Sequence, residues 1–340
     1  MENKILLAVT PGDPAGIGPE ILLKTLRASA MPVSVALVCV GAREPLDRLG
    51  ANVIEVDAKS LTTLPPRPSA DSVYLIPAPL VAPKGKLLAG FQSGWAIETA
   101  TRLVQKGALS ALVTGPISKD RLQQGGYKFP GHTEFLAHLC KRKQVTMMLA
   151  NDQLRVTLVT VHVALSRVSK SLTRASISQT ILHTVDHLTR WWGIAKPSVA
   201  VAALNPHAGE RGLFGDEEKR LITPVVRSLQ KKLGSRAALV GPLPADTLFA
   251  QHVLSKTENR PENRFDAVVC MYHDQALIPV KILDFPHTVN ITLGLPIIRT
   301  SVDHGVGFDI AGTGKADPSS FQSAVALAAQ LVQRSKRGES

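Results

Sequence analysis

The chain is short of cysteine, of aromatic residues and of long apolar runs, and each shortage closes off a class of protein. Only three cysteines (Cys39, Cys140 and Cys270) occur in 340 residues. They are far apart and form no CxxC pair, so neither a disulfide framework nor a cysteine-based zinc site is indicated. Cys39 and Cys270 fall inside apolar runs and read as small buried hydrophobes. Aromatics make up 4% of residues, too few for base-stacking platforms. No apolar run reaches the roughly 18 residues a membrane span needs. The first residues carry no basic segment followed by a long apolar one, so a cytoplasmic protein without membrane contact is expected. Acidic residues are scarce too: 27 Asp and Glu against 39 Lys and Arg leave a net charge of +12. The basic residues are dispersed, with only short clusters such as Lys141–Lys143. Dispersed positive charge suits solubility and attraction of small anions better than nucleic acid. A phosphate- or carboxylate-bearing substrate is therefore favoured.

What is present is a well-buried globular chain, 44% apolar and 19% charged. Its length suits two ordinary domains or one large α/β unit. Apolar runs predict strands at Ile5–Val9, Val33–Val40, Val53–Val56, Val73–Ile76, Leu109–Val113, Thr146–Leu149, Val156–Val161, Val199–Ala203, Ala237–Val240, Ala267–Met271 and Val289–Leu293. Helical patterns cover Gln92–Gln105, Ser171–Trp192, Asp216–Leu233 and Ser319–Arg334. Alternation of the two predicts an α/β fold with a largely parallel sheet. Thr146–Leu149 and Arg155–Val161, joined through Ala150-Asn151-Asp152, predict a hairpin, which makes the sheet mixed. The polar, Pro-containing stretch Gln251–Arg264 reads as an exposed loop.

Candidate functional groups cluster after the strands, where open α/β sheets present their sites. Thr10–Glu20 (TPGDPAGIGPE) follows the first strand, its glycines allowing tight turns and Pro19 opening a helix. It is not a GxGxxG fingerprint, and it reads equally as a close-approach loop or a plain strand-to-helix turn. Thr114–Lys119 (TGPISK) follows another apolar run. In Gly131-His132-Thr133-Glu134 an imidazole and a hydroxyl stand at the start of helix Glu134–His138, a ready anion site, although Thr133 also fits a simple N-cap. His162, His207 and His273 each follow a strand. Singly such residues are usually structural, but three at one topological position fit a shared His₃ metal site. His183 and His187 stand at i, i+4 without a general-base Glu and read as helix surface. Asp246 follows a strand and fits either proton transfer or capping of a helix from Thr247. The densest stretch, Asp266–Lys315, adds Asp274, Lys281, Asn290, Arg299, Asp303 and His304.

In order along the chain, TPGDPAGIGPE, TGPISK, GHTE, ALNPHAGE with GLFGDEE, GPLPADTLF, MYHDQ and NITLGLPIIRTSVDHG resemble the 4-hydroxythreonine-4-phosphate dehydrogenase family of pyridoxine (vitamin B6) biosynthesis. The likeness runs from Thr10 to Lys315. It implies a homodimer of two-subdomain α/β/α protomers, similar to isocitrate and isopropylmalate dehydrogenases, with residues 1–130 plus 300–340 in one subdomain and 131–299 in the other. The active site would lie in a cleft and draw on both protomers. By this resemblance His162, His207 and His273 are the metal ligands, and His132, Thr133, Lys281, Asn290 and Arg299 contact the phosphorylated substrate. Asp246 and Asp274 support the site or transfer a proton. The run Asp303–Gly312, with His304, Gly305 and Asp309, looks like the loop that holds NAD or NADP. Zinc suits an all-imidazole shell; cobalt, nickel or manganese also fit, and magnesium is a poor match. The reaction implied is oxidation of a secondary alcohol in 4-phosphohydroxy-L-threonine, followed by decarboxylation. The runner-up is a 4-phospho-threonate or phospho-erythronate dehydrogenase of sugar-acid catabolism.

Overall fold

Strands buried on both faces have no polar side to alternate with, which is why they read as unbroken apolar runs. In β1 (Ile5–Thr10), β2 (Val35–Gly41) and β5 (Ala111–Thr114) every residue is buried. The computed structural model describes residues 5–28, 35–64, 69–257 and 264–338. The chain divides into two units, Met1–Lys143 with Leu295–Gln333, and Gln144–Gly294 with Arg334–Ser340. Residues 131–143 thus go with the first unit.

After β1 come α1 (Gly18–Arg27), β2, α2 (Glu44–Arg48), β3 (Asn52–Glu55), β4 (Ser72–Pro77), α3 (Leu88–Gln105), β5, α4 (Lys119–Gln124) and α5 (His132–Leu139). The second unit holds β6 (Thr146–Ala150), β7 (Arg155–Leu158), α6 (Leu165–Ser171), α7 (Arg174–Arg190), β8 (Ser198–Ala202), α8 (Thr223–Leu233), β9 (Ala238–Leu243), α9 (Ala245–Thr257), β10 (Ala267–Cys270), α10 (His273–Asp284) and β11 (Val289–Leu293). The chain then adds β12 (Arg299–Ser301) and α11 (Ser319–Gly338).

The first unit orders its strands β3-β4-β2-β1-β5-β12, all parallel. The second orders them β11-β6-β7-β10-β8-β9, with β6 antiparallel to both β7 and β11 and the rest parallel. The predicted hairpin is present, and the architecture is α/β and mixed, as expected.

Several local expectations change. The single helix over Ser171–Trp192 is two: α6 ends at Ser171, and Thr173 caps α7 in a reciprocal pair with Ser176. The expected loop Gln251–Arg264 begins as the end of α9, because Leu248, His252 and Ser255 fall on one buried face. Residues 258–263 of that loop lie outside the described residues, as do 33 and 34 of the second predicted strand. Short β12 is not among the strands that apolar runs predict.

The His183–His187 pair is not helix surface. His187 is 1% exposed. Its Nδ1 donates to the His183 carbonyl at 2.7 Å, and its Nε2 accepts from the Gly294 N–H at 3.0 Å. Both ring nitrogens are committed only in the neutral form, and burial lowers the pKa from 6.5 to about 4. Between those two values the unfolded chain binds a proton that the folded chain refuses, so stability falls as pH drops through that window. The full loss is about 3 kcal/mol. Urea unfolding between pH 7.5 and pH 4 should show it, and His187→Gln should remove most of that slope; an unchanged slope would exclude His187 as its source.

Candidate functional site

Parallel pairing of β7 with β10 brings two of the three strand-end histidines together. The pairing continues past the strands: Val159 N–H donates to the Cys270 carbonyl at 2.9 Å, and the Thr160 N–H and hydroxyl donate to the Met271 carbonyl at 3.2 and 2.7 Å. His162 lies in the bend that follows, not at the strand end, and His273 is the first residue of α10. Their ring centres are 6.0 Å apart. Both line a cavity of about 430 Å³ with Val161, Leu165, Tyr272 and Asp274. His273 and Asp274 share a helical turn instead of pointing oppositely from a strand, and Nδ1 of His273 donates to the Asp274 carboxylate at 2.7 Å. That bond leaves Nε2 as the nitrogen with a lone pair for a ligand.

A metal–nitrogen bond of about 2.1 Å puts an imidazole centre about 3.2 Å from the ion, so rings sharing one ion have centres within about 6.4 Å. The His162–His273 separation of 6.0 Å meets that limit. The third histidine does not join them: among the described residues no group of three His, Cys, Asp or Glu side chains is placed to hold a metal. Within one chain the three candidate ligands thus form a histidine pair, with His207 apart from it.

His207 stands on an unusual turn. Within Pro206–Gly212, residues 207 to 211 are consecutively left-handed, with φ of 51°, 53°, 82°, 41° and 57°. Four of those five are not glycine, and such backbone persists only where its surroundings over-determine it. Glu218 does so here. Its Oε1 accepts from the Leu204 and Asn205 N–H groups at 2.9 and 2.8 Å, while the Asn205 side-chain amide donates to Glu217 and Glu218 at 2.7 and 3.0 Å. Glu217 and Glu218 stand at the start of the helical segment Glu218–Ile222, inside the predicted helix Asp216–Leu233, and brace the histidine turn from there. The imidazole itself is exposed, 3.4 Å from the Glu210 carboxylate.

In the first unit the strand register sets Thr10 beside Thr114 and Thr114 beside Ser301, a row of hydroxyls at the carboxyl ends of β1, β5 and β12. Arg299 opens β12 and is 2% exposed. Its Nε and Nη2 both donate to the Thr114 hydroxyl, at 3.1 and 2.7 Å. Burial lowers its pKa to about 9, which leaves it a cation at neutral pH. Burial, with the Arg299 charge, holds the His132 pKa well below 6.5, so that imidazole is neutral. Nε2 of His132 and Oγ1 of Thr10 are buried polar atoms with no hydrogen-bond partner among the described residues. Such atoms are rare in folded proteins, and a polar ligand is what satisfies them in a site. α5 begins at His132 with Gly131 before it, so Thr133 is in the first turn and is not the N-cap.

The segment Asp303–Gly312 forms turns beside the first motif. Ile17 N–H donates to the Val306 carbonyl at 2.9 Å. The Arg121 guanidinium lies 4.3 Å over the Phe308 ring and 3.2 Å from the buried Asp13 carboxylate. Nδ1 of His304 donates to the Gly305 carbonyl, leaving Nε2 a buried acceptor without a partner. Gly305, Asp309 and Gly312 are exposed. A second cavity, of about 420 Å³, is lined by Pro14, Ala15, Gly16, Arg48, Ala311 and Gly312, among others. The motif turn itself packs against TGPISK: Asp13 N–H donates to the Pro116 carbonyl, and a Cβ on Gly12 would lie 1.9 Å from that oxygen.

The remaining candidates are spread more widely. Lys281 is on α10 with Nζ 5.3 Å from the Phe285 ring centre, and Asn290 is half-buried on β11. Asp246 is the second residue of α9, exposed, and not part of the histidine cavity lining. Arg121 and Asp13 were not singled out from the sequence, although Asp13 lies within its first motif.

The family model for the pyridoxal phosphate biosynthetic protein PdxA matches residues 35–328. A 4-hydroxythreonine-4-phosphate dehydrogenase of Desulfosudis oleivorans is 44% identical over 96% of each chain. A D-threonate 4-phosphate dehydrogenase of Salmonella typhimurium is 40% identical over 98% of this chain and 100% of its own. The solved structure of a 4-hydroxythreonine-4-phosphate dehydrogenase from Klebsiella pneumoniae is 38% identical, with a TM-score of 0.84 over 97% of this chain and 100% of its own. At 14% identity, a β-decarboxylating dehydrogenase from Thermococcus kodakarensis has a TM-score of 0.50 over 97% of this chain and 83% of its own, a likeness of fold.

Proposed function

The chain belongs to the PdxA family, and from that membership we propose that it is the dehydrogenase that oxidises the secondary alcohol of 4-phosphohydroxy-L-threonine. NAD or NADP accepts the hydride. The product, 2-amino-3-oxo-4-phosphooxybutanoate, is a β-keto acid and loses CO₂ readily to give 3-amino-2-oxopropyl phosphate, a precursor for pyridoxine 5′-phosphate. The observation that carries the reading is the His162–His273 pair lining a cavity, with Asp274 on the outer nitrogen of one ring.

In this reading His162 and His273 hold a divalent ion together with His207 of a second copy. Bound there, the ion supplies Lewis acidity toward the substrate hydroxyl, and zinc suits three imidazoles best. Asp274 fixes the His273 ring and its tautomer, and Asp246 is assigned the accompanying proton-transfer role. Arg299 supplies a fixed cation for the phosphate, with His132, Thr133, Lys281 and Asn290 completing its hydrogen bonds. Asp303–Gly312 would hold the dinucleotide, and Nε2 of His304, without a partner among the described residues, would be an acceptor for it. A second copy has a surface to cover. Ile278 and Ile282 on α10, with Phe285 just past its end, follow one another at i, i+4 and i+7 and are 57%, 79% and 61% exposed.

The D-threonate 4-phosphate name among close relatives favours one alternative substrate, which lacks only the amine. Reduction of NAD⁺ and NADP⁺ should be followed with both phosphorylated compounds, with and without a chelator. The reading expects turnover of the amino acid and its loss on chelation. Turnover of the hydroxy acid alone would reassign the substrate, and chelator-insensitive turnover would remove the metal.

A further inference from the structure

The sequence motif TPGDPAGIGPE ends in a glutamate that has no evident work in a simple turn. In the fold, Glu20 is 5% exposed near the start of α1, and its carboxylate is fully engaged by the chain that follows Asp303–Gly312. Oε2 accepts from the Gly312 N–H at 3.0 Å, and Oε1 accepts from the Ala316 N–H at 3.0 Å. One turn along α1, Lys24 pairs with Oε1 at 3.0 Å and donates to the Gly314 and Ala316 carbonyls at 2.7 and 2.6 Å. One ion pair thus binds two N–H groups and two carbonyls of a five-residue stretch with φ of 74° at Gly312 and 78° at Gly314. Burial would raise the Glu20 pKa, but Lys24 and the backbone donors outweigh it, so the group is held as a carboxylate. Such an arrangement is more than general packing. Without it, two backbone donors and two acceptors lose partners on a segment that makes no regular secondary structure.

The clamp also forms part of a cavity. Glu20, Pro19 and Gly16 line the cavity of about 420 Å³ together with Ala311 and Gly312, among others. The Gly312–Glu20 bond therefore ties two parts of its lining together.

We propose that Glu20 and Lys24 are positioning residues that hold Gly312–Ala316 in the form that receives the dinucleotide, so that dinucleotide affinity, not the chemical step, depends on them. This rests on the assignment of Asp303–Gly312 to NAD or NADP. A preformed loop spares the ligand the cost of ordering it, which is where a positioning contact acts on affinity.

Glu20→Gln keeps the size of the side chain but leaves a single acceptor oxygen and removes the charge facing Lys24. The variant should show a dinucleotide KM, and a dissociation constant by calorimetry, raised about tenfold or more, with KM for the phosphorylated substrate within about twofold of wild type. Amide exchange at Gly312 and Ala316 should speed up in the absence of any ligand, which tests the clamp independently of activity. Thr25→Ala serves as the control. It removes a buried bond to the Ile21 carbonyl on the same helix, at 2.7 Å, without touching the loop. Equal dinucleotide affinity in Glu20→Gln and wild type would overturn the proposal, as would an equal loss of affinity in Thr25→Ala. If wild type bound neither NAD⁺ nor NADP⁺ while exchange at Gly312 still rose in Glu20→Gln, the dinucleotide assignment would fall and the clamp would stand as purely structural.

Discussion

His273→Ala is expected to cut kcat/KM on the order of a thousandfold, since the proposed metal would contribute several kcal/mol of charge stabilisation and the two imidazoles that remain would hold it poorly. The metal content of dialysed protein should fall in parallel. His207→Ala should be equally inactive, although its ring is exposed and, among the described residues, belongs to no group of three ligands. A mixture of the two inactive proteins separates the arrangements of ligands. In a dimer with one subunit of each kind, the His207→Ala subunit keeps its His162–His273 pair and its partner keeps His207. One of the two sites is then intact. If subunits exchange freely, half of the dimers are mixed and about a quarter of wild-type activity returns. No recovery after verified exchange would mean that all three ligands come from one chain, or that His207 is not a ligand.

The strands were legible because burial on both faces leaves a continuous apolar run, and the hairpin because Ala150-Asn151-Asp152 interrupts one. Harder to read were elements whose polar residues are internal. β12 carries Arg299 into the interior, against the usual exposure of charge, and it is pairing, with β5 on one side, that makes it a strand. α9 continues into polar sequence because one face of it, Leu248, His252 and Ser255, is buried. His187 looked like surface because nothing local announces that Gly294, more than a hundred residues on, supplies the donor for its Nε2. At the candidate site, His162 and His273 stood out in the sequence because each follows a strand. That His162 and His273 meet follows from the β7–β10 pairing, which no spacing in the sequence reveals. The left-handed turn at His207 depends on Glu218, eleven residues later, and so was equally hidden.

Arg299 offers the second large effect. Its guanidinium is a buried cation whose described hydrogen bonds include two to the neutral Thr114 hydroxyl, and a dianionic phosphate is the ligand that would complete its electrostatics. Truncating one partner of a buried, hydrogen-bonded charge pair costs about 2–5 kcal/mol, so kcat/KM for the phosphorylated substrate should fall from about thirtyfold to several thousandfold in Arg299→Gln. The loss should sit chiefly in KM. Arg299→Lys should lie between the two, because an ammonium keeps the charge but cannot form the planar fork. A structural role would also slow the enzyme, so the discriminating substrate is 4-hydroxy-L-threonine without its phosphate. Wild type should turn it over poorly, and Arg299→Gln should do so at nearly the same rate, within about threefold, because the guanidinium serves a phosphate that this compound does not carry. Equal losses on both compounds would make Arg299 a structural support of β12. An unchanged KM for the phosphorylated compound would place the phosphate elsewhere.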